Sequence, residues 1–318
     1  MKALVTGGAG FIGSHISQEL SRRGAQVIVL DNLSTGNADN LGWAGANAGV
    51  DFVEGEVTNA ALIEKLVPGC DWIFHHAAIA SVPQSLEKPW LSHDDNVNGT
   101  VRLLLASRDA GVKRFVFASS SAIYGDGGEP VKTEGLMPRP LTPYALQKYA
   151  GETYGIQFHQ FYGLPFVALR YFNVFGPRQH FDSPYSGVIA KFATRMLEGR
   201  APVIFGDGLQ SRDFVYVDNV VAANLGVAEA PAEAVTGRKF NVGCGTSINL
   251  LDLVRGINEW TGQDLRPDFQ EARPGDVRDS NADISAARAA FGFDPAVSWK
   301  EGLSKTLDFY RAVPAPVG

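Results

Sequence analysis

The sequence predicts an α/β fold, a doubly wound parallel sheet with a smaller C-terminal domain, and three observations lead to it. Apolar runs of strand length alternate with helical patterns, as expected when crossover helices cover both faces of a sheet. A glycine-rich turn joins the first run to the first helix. From about residue 173 the alternation gives way to glycine- and proline-rich segments, which predicts a boundary between residues 1–172 and 173–318.

The first strand, predicted at residues 2–6, runs into the turn TGGAGFIG, which opens a helix with apolar residues at helical spacing. Glycines there let a phosphate approach the backbone N–H groups and the positive end of the helix. On these residues alone an ordinary strand-to-helix turn is the alternative. The turn is therefore a candidate anion site, formed by Gly7, Gly10, Phe11, Ile12 and Gly13.

The second apolar run, QVIVLD, ends in Asp31, about 20 residues beyond the glycines. In a dinucleotide-binding unit an acid at this place binds the adenosine ribose hydroxyls. Such an acid would repel a 2′-phosphate, and no arginine follows closely, so NAD is favoured over NADP. A turn-capping role for Asp31 is the alternative. Turn, helix, second strand and acid together predict a Rossmann-type NAD-binding domain.

The remaining elements follow the same alternation. Further strands are predicted near residues 51, 70, 113 and 164, and helices at 96–111 and 143–163. A late strand at 239–243 would return to the sheet from the C-terminal half. Because ligands bind beyond the carboxyl ends of strands in open parallel sheets, the functional residues are expected just after strands.

Composition narrows the class of partner. The 318 residues carry a formal net charge of −6, which does not favour nucleic acid or an anionic membrane surface. No apolar run has membrane-spanning length. Cys70 and Cys244 are too few for a disulfide framework or a zinc cluster, and they are predicted to be buried small hydrophobic residues. A cytoplasmic protein is expected.

Three side chains suggest redox chemistry at a hydroxyl group. Tyr144 and Lys148 are four residues apart, which places them on one helical face, and Ser120 ends the strand near 113. An adjacent ammonium and a cationic nicotinamide would both favour the Tyr144 phenolate, which could then exchange a proton with a substrate hydroxyl held by Ser120. The alternatives are an ordinary amphipathic helix and a serine cap.

A pair of histidines, His75 and His76, closes one of the predicted strands. No carboxylate-rich spacing around them makes a metal site, so no metal is predicted. Packing in the core or a loop is the favoured role for both side chains.

Seven segments, in order, resemble the extended short-chain dehydrogenase/reductase family and within it the nucleoside-diphosphate-sugar 4-epimerases. They span residues 6–284 and read TGGAGFIG, HHAA, SSSAIYG, PYALQK, RYFNVFGPRQ, GDGLQSRDFVYVDNV and RPGDVRDSNADIS. The resemblance implies that Ser120 is the catalytic hydroxyl, Tyr144 the base and Lys148 its partner. It implies a UDP-sugar as substrate.

The resemblance also implies the binding residues. Besides the glycine turn, Tyr144 and Lys148, it assigns to the cofactor Asp31, Asn32, Glu56, Val57, Ala77 and Ala78. Glu56 stands where the family more usually has an aspartate. To the substrate it assigns Ser120, Ser121, Asn173, Arg212, Arg273, Asp276 and Ser280. A surface salt bridge between Arg212 and Asp213, and a loop cation at Arg273, are the alternatives.

The two residues after Ser120 indicate the subclass. The family's 4,6-dehydratases resemble Thr-Asp-Glu there and its decarboxylases carry a glutamate, whereas this chain has Ser121 and Ala122. Because neither residue is a carboxylate, the remaining reaction among these subclasses is oxidation and re-reduction at C4 of the sugar. Small Ser280 leaves room for N-acetylhexosamines beside glucose and galactose. Arg178 or His180 could instead bind the C6 carboxylate of UDP-glucuronate.

Two other functional classes and the assembly stay open. A net sugar-nucleotide oxidoreductase would release its cofactor, and a non-catalytic dinucleotide sensor would not need hydroxyl, tyrosine and lysine together. The helices at 96–111 and 143–163 resemble the pair that forms the family's dimer interface, which implies a homodimer. Ile156, Phe158 and Phe161 would suit that interface or the core equally well.

Overall fold

The computed structural model describes residues 1–45, 49–180, 187–272 and 278–312. The strands are β1 Lys2–Thr6, β2 Gln26–Asp31, β3 Val50–Glu54, β4 Trp72–His75, β5 Arg114–Ser120, β6 Val131–Lys132, β7 Phe166–Tyr171, β8 Asn173–Phe175, β9 Val203–Phe205, β10 Ser211–Arg212, β11 Phe214–Tyr216, β12 Arg238–Val242, β13 Ile248–Asn249, β14 Asp268–Gln270 and β15 Asp279–Ala282.

Helices cover the strands and connect them. They are α1 Phe11–Arg22, α2 Ala60–Leu66, α3 Val82–Glu87, α4 Pro89–His93, α5 Thr100–Ala110, α6 Pro143–Tyr162, α7 Val188–Leu197, α8 Val217–Glu229, α9 Ala232–Val235, α10 Leu250–Thr261, α11 Ser285–Phe291 and α12 Trp299–Ala312. No helix among the described residues is long and apolar enough to cross a membrane.

A seven-stranded sheet forms the centre of the molecule, with the order β12-β7-β5-β4-β1-β2-β3 and every pair parallel. This confirms the predicted doubly wound parallel sheet. The strand order reverses between β1 and β4, the point at which such sheets bind their ligands. Strand β12 comes from the C-terminal half and pairs with β7, so the predicted late strand does extend the sheet.

Helix α6 shows how sequence sets an element that carries functional residues. Thr142 caps its start by accepting a hydrogen bond from the Ala145 N–H at 3.3 Å, and Gly163 ends it in the left-handed conformation at φ 71°. A Cβ on Gly151 would lie 2.7 Å from the ring of Phe117. The missing side chain therefore lets α6 pack closely against β5.

The predicted helix at 96–111 differs in its first turns. Residues 94–99 are π-helical and only Thr100–Ala110 is regular α-helix. The Asn96 amide accepts a hydrogen bond from the Ile79 N–H at 2.8 Å and donates one to the Ile79 carbonyl at 3.1 Å. Gly99 abuts Val57, where a Cβ would lie 2.6 Å from a methyl carbon. These tertiary contacts, which periodicity does not report, accompany the wider turn.

The C-terminal half, joined by β6 from the N-terminal half, builds small sheets beside the large one, with the orders β13-β10-β15-β6, β11-β8 and β14-β9. Its core of Phe175, Phe192, Phe214 and further apolar side chains is separate from the two clusters that cover the faces of the large sheet. Cys70 is buried as expected, whereas Cys244 is only half-buried, because its loop follows the end of β12. The boundary at 172/173 stays a prediction.

Candidate active site

The glycine turn brings β1, α1 and the end of β4 close together. Gly7 has a φ of +66°, and a Cβ on it would lie 2.7 Å from the Ala77 nitrogen. A Cβ on Gly13 would collide with the Gly7 carbonyl oxygen. Helix α1 begins here with no side-chain cap and no acidic residue in its first turn. Its N-terminal N–H groups thus form a positive end suited to an anion.

Asp31 anchors this turn. The carboxylate is 7 % exposed and accepts hydrogen bonds from the N–H of Ala9 at 3.0 Å and of Leu33 at 2.9 Å. The Leu33 bond is the turn cap that the sequence offered as an alternative, whereas the Ala9 bond ties the end of β2 to the glycine turn. A Cβ on Gly36 would lie 2.7 Å from the carboxylate, a constraint that the sequence motif did not reveal.

The other candidate cofactor residues all follow strands at the carboxyl edge of the sheet. Asn32 comes directly after β2, Val57 lies buried after β3, and Ala77 and Ala78 follow β4. Glu56 is exposed, and its carboxylate accepts a hydrogen bond from the Thr58 hydroxyl at 3.2 Å. Their assignment to the cofactor remains a proposal, but the fold places them along one edge.

The three candidate catalytic residues meet where β5 ends and α6 begins. Ser120 is the last residue of β5, and Tyr144 lies in the first turn of α6. The Ser120 hydroxyl acts on the Tyr144 phenol as a hydrogen-bonding neighbour that lowers its pKa. The Ser120 oxygen also accepts from the Ala122 N–H at 3.1 Å, and the Tyr144 N–H donates to the Ser85 hydroxyl at 3.2 Å. The Ser120 hydroxyl is thus fixed to the backbone, and the start of α6 is fixed to Ser85.

Lys148 sits one turn further along α6 and is buried. Its ammonium donates to the Ala118 carbonyl at 2.9 Å and lies 5.2 Å from the centre of the Phe117 ring. Burial lowers the pKa of Lys148 from 10.5 to about 8. The ammonium therefore ionises close to neutrality, which is typical of lysines in functional sites.

The pKa of Tyr144 differs from the sequence expectation. Burial raises it above its ordinary value, and the hydrogen bond with Ser120 acts in the opposite direction. The Lys148 ammonium, which was expected to favour the phenolate together with a nicotinamide, donates to the Ala118 carbonyl.

The two histidines belong to the scaffold, as predicted. Both ring nitrogens of His75 are hydrogen-bonded, to the Thr6 hydroxyl at 2.7 Å and to the Thr100 hydroxyl at 2.8 Å. His76 bonds the Tyr171 hydroxyl at 2.9 Å. Burial lowers the pKa of His75 well below its ordinary value and that of His76 to about 3, so both are neutral. The described residues contain no cluster of three or more potential metal-ligating His, Cys, Asp or Glu side chains.

The candidate substrate residues lie on the small sheets that adjoin the site. Arg212 on β10 and Ser280 on β15 are direct neighbours in a parallel pair. Asn173 opens β8, and its N–H donates to the Asp213 carbonyl at 3.0 Å. Ser121 begins the 3₁₀ turn that follows Ser120. Two further candidates, Arg273 and Asp276, lie outside the described residues.

The buried position of Asp213 excludes the alternative in which Arg212 forms a surface salt bridge with it. Its side chain is fully buried and accepts hydrogen bonds from the N–H groups of Cys244, Gly245 and Ala282 at 2.7, 2.9 and 3.1 Å. Burial raises its pKa to about 6, although these three bonds act against the rise. The carboxylate therefore joins β10, β12 and β15 from the interior, and a solvent-exposed Arg212–Asp213 salt bridge does not exist.

Arg178, which the sequence offered as a partner for a C6 carboxylate, contacts helix α1. Its guanidinium donates to the side chains of Gln18 at 2.6 Å and Ser14 at 3.4 Å, both on α1. The residue has a φ of +65°. The neighbouring Pro177 carbonyl bonds the ring of His15 at 3.0 Å. These contacts orient the Arg178 side chain toward α1, because the loop after β8 packs against that helix.

Sequence reasoning missed the polar side chains that hold α6 in place. The Asn96 amide donates to Gln147 at 2.8 Å, and Gln147 donates to the Ser92 hydroxyl at 2.9 Å. Deeper along α6, Glu152 forms a buried ion pair with Arg170 on β7. The spacing of Glu152, four residues after Lys148, is a signal that could have indicated a third residue on the same face.

Comparison with known proteins relates the whole chain to one family. Residues 3–243 match the model of the NAD-dependent epimerase/dehydratase family. The UDP-glucose 4-epimerase of Mycolicibacterium smegmatis is 39% identical over 317 residues, covering 98% of this chain and 99% of that protein. The UDP-glucose 4-epimerase of Thermotoga maritima, solved with UDP-glucose, has a TM-score of 0.92 and 41% identity, covering 98% of this chain and 99% of that one.

A further solved structure extends the range of sugars among the relatives. The UDP-N-acetylglucosamine 4-epimerase of Methanobrevibacter ruminantium, in complex with UDP-N-acetylmuramic acid, has a TM-score of 0.92 and 38% identity, covering 98% of each chain.

Proposed function

Because this chain belongs to the NAD-dependent epimerase/dehydratase family, we propose that it interconverts C4 epimers of a UDP-sugar with NAD as its cofactor. The observation that carries the proposal is the placement of Ser120 at the end of β5 and of Tyr144 in the first turn of α6, with the two side chains interacting and Lys148 one helical turn away. A general base and a hydroxyl donor thus share one point beside the carboxyl edge of the sheet. That arrangement suits proton exchange with a sugar hydroxyl.

The residues present fit NAD. The uncapped start of α1 would hold the diphosphate, and Asp31 at the end of β2 would bind the adenosine ribose hydroxyls. The carboxylate of Asp31 also disfavours a 2′-phosphate. NAD supplies the hydride acceptor and donor for C4 of the sugar when it is bound.

The chain itself holds and moves the proton. Tyr144 would take the proton of the 4-hydroxyl and later return one to the same oxygen, while the Ser120 hydroxyl hydrogen-bonds that oxygen. Inversion requires the sugar to present both faces to the same groups, so binding must act on the UDP part. Arg212 on β10, beside Ser280 on β15, provides a guanidinium suited to a diphosphate.

The residues after Ser120 favour epimerisation over the family's other reactions. Ser121 and Ala122 form the 3₁₀ turn that follows β5, and neither carries a carboxylate. A dehydratase or decarboxylase needs an additional acid or base at C5 or C6. With none at these two positions, reaction at C4 is the chemistry that the turn supports.

The proposed sugar rests on the small size of the side chain of Ser280. Small Ser280 leaves space for a 2-acetamido group as well as a hydroxyl, which favours glucose, galactose and N-acetylhexosamines. UDP-glucuronate is the alternative, with Arg178 or His180 as the group that would bind its C6 carboxylate.

The test is NMR of the purified protein, without added cofactor, incubated separately with UDP-glucose, UDP-N-acetylglucosamine and UDP-glucuronate. Appearance of the C4 epimer in either of the first two samples supports the proposal and identifies the sugar. A Tyr144→Phe variant should lose turnover by about 10³-fold while retaining bound NAD, because only proton exchange is removed. Turnover that persists in this variant would overturn the role of Tyr144.

Two other outcomes would change the functional class. A net oxidoreductase would convert a sugar only with stoichiometric added cofactor, and a sensor would bind NAD without converting any of the three sugars. Retained NAD together with epimer formation excludes both.

We also propose a cytoplasmic homodimer. Leu105 on α5 and Tyr154, Phe161 and Tyr162 on α6 are exposed, which offers an apolar surface across the two helices. Phe158, by contrast, is buried in the core beneath it, and Ile156 packs against that core. Two free cysteines suit a reducing compartment. A monomer mass at micromolar concentration would refute the dimer.

A further inference from the structure

We propose that Glu152 is a positioning residue for the reaction, and that it acts through Ser119 to hold the Ser120 hydroxyl against the Tyr144 phenol. The inference rests on the proposed function, because it concerns the geometry of that same site. The main observation for the proposal is that one carboxylate oxygen of Glu152 accepts two hydrogen bonds. Glu152 Oε2 accepts a hydrogen bond from the Ser119 hydroxyl at 2.7 Å and another from Arg170 Nε at 3.0 Å.

The carboxylate joins three elements at the catalytic end of the sheet. Glu152 is on α6, Ser119 on β5 and Arg170 on β7, and Ser119 and Arg170 are direct partners in the parallel pair. The second oxygen of Glu152 accepts from Arg170 Nη2 at 2.6 Å. Glu152 and Arg170 are each 1% exposed, and Ser119 is 2% exposed. The Ser119 hydroxyl adds a third hydrogen bond to the buried carboxylate, which offsets part of the cost of burying its charge.

Helix α6 needs such a fixed position because the reacting groups lie on different elements. Ser119 faces α6, where Glu152 accepts a hydrogen bond from its hydroxyl, and Ser120 is the next residue and the last of β5. Tyr144 lies at the start of the same helix. A shift of α6 along β5 by a fraction of an ångström would change the distance between the Ser120 hydroxyl and the Tyr144 phenol.

The same face of α6 is tied to consecutive residues of β5. Gly151 packs against the Phe117 ring, Lys148 donates to the Ala118 carbonyl, and Glu152 accepts from Ser119. The Glu152 contact is the one next to Ser120 and is completed by a charge. It fixes the lateral position of α6 across both β5 and β7, which a single contact to β5 would not.

Glu152 does not act by tuning the charge of Lys148. Burial alone accounts for the lowered pKa of Lys148, and the Glu152 carboxylate is occupied by Arg170. The expected role is therefore geometric, and it should alter the rate of the chemical step rather than the binding of substrate or cofactor.

The deciding variant is Ser119→Ala, which removes the link to β5 while leaving the Glu152–Arg170 pair intact. We expect kcat to fall about tenfold, equivalent to ~1.4 kcal/mol in the barrier, with KM and bound NAD within about twofold of wild type. Thr306→Ala is the matched control, since Thr306 is also fully buried and its hydroxyl donates to the Gly302 carbonyl in α12 at 2.7 Å. It should lower the melting temperature and leave kcat within about twofold.

Three outcomes decide the matter. Wild-type kcat in Ser119→Ala, or an equal loss of kcat in Thr306→Ala, would overturn the positioning role. Glu152→Gln should lower kcat at least as much as Ser119→Ala; if it fails to fold, Ser119→Ala alone decides. A crystal structure of Ser119→Ala should show a longer Tyr144–Ser120 oxygen distance, and an unchanged distance would also overturn the proposal.

Failure of the proposed function has a different signature. If the wild-type protein epimerises none of the sugars, the function is wrong, and the Tyr144–Ser120 distance still tests the positioning role. If wild type is active and Ser119→Ala equals it, only the positioning role is wrong.

Discussion

Two parts of the carboxyl edge of the sheet differ in the groups that form them. The cofactor end is the glycine turn with Asp31, and the catalytic end is the region of Ser120, Tyr144 and Lys148. At the cofactor end, glycines and backbone groups touch one another, as where Gly7 packs beside Ala77 and Gly13 packs against the Gly7 carbonyl. At the catalytic end, buried polar and charged side chains join the elements, as in the contact of Glu152 with Ser119 and Arg170. Both ends lie along the same carboxyl edge of one parallel sheet.

This difference predicts which kind of substitution should disrupt each end. A backbone-built site has no space for added atoms, so even a methyl group disrupts it. A site built from buried polar side chains responds to the removal of a side chain: it loses stability when a partner is left desolvated and unpaired, and it gains stability when the group removed is a buried charge. The three predictions below test that contrast, from the largest expected effect to the smallest.

Adding one methyl group at the cofactor end, in Gly13→Ala, should have the largest effect. Its Cβ would collide with the Gly7 carbonyl, so α1 must move away from the glycine turn. We expect a loss of about 3 kcal/mol, which corresponds to more than a hundredfold weaker NAD binding. The measurement is NAD content after purification and the Kd for added NAD. Gly135→Ala is the control, since Gly135 has nothing within 4 Å of a Cβ; equal NAD content in both variants would break the comparison.

Removing a buried charge at the catalytic end, in Lys148→Met, should separate stability from activity. The pKa of Lys148 is about 8 in the folded chain and 10.5 ordinarily, so burial opposes folding while the lysine is charged in both states. That opposition is complete below pH 8, declines from pH 8 to 10.5 and vanishes above. The variant should therefore be more stable by up to about 3 kcal/mol at pH 7, and the gain should shrink at pH 10.

Turnover of Lys148→Met should fall about 10²-fold, because the ammonium beside the reacting groups is lost. Urea unfolding of NAD-free protein at pH 7 and pH 10 measures the stability, and the epimerase assay measures the activity. Lys113→Met serves as the control, since Lys113 is exposed and pairs with Asp71 at the surface. A stability gain that grows with pH would contradict the assignment.

The smallest effect is expected for Arg178→Ala, which sharpens the comparison by removing a charged side chain at the cofactor end. The lost hydrogen bonds to Gln18 and Ser14 should lower the free energy of unfolding by about 1–2 kcal/mol. KM for UDP-glucose should stay within about threefold of wild type. A selective loss of activity on UDP-glucuronate would instead return Arg178 to the substrate site.

Much of the large sheet could be predicted from the sequence because its signals are local. The glycines of the first turn, the apolar runs and the Thr142–Gly163 limits of α6 each act within a few residues of chain. The spacing of Tyr144 and Lys148 likewise fixes their common face. The π-helical turn at 94–99 was missed, because its contacts with Ile79 and Val57 come from other elements.

The sequence by itself determined the order of elements, the glycine turn and the residue types of the candidate catalytic group. Only the tertiary structure decided which partners these groups have. It turned Lys148 toward the Ala118 carbonyl, buried Asp213 among three backbone N–H groups, and directed Arg178 at α1. The physical reason is that burial and hydrogen bonding depend on residues far apart in the chain, so the pKa and direction of a side chain follow from packing and not from local spacing.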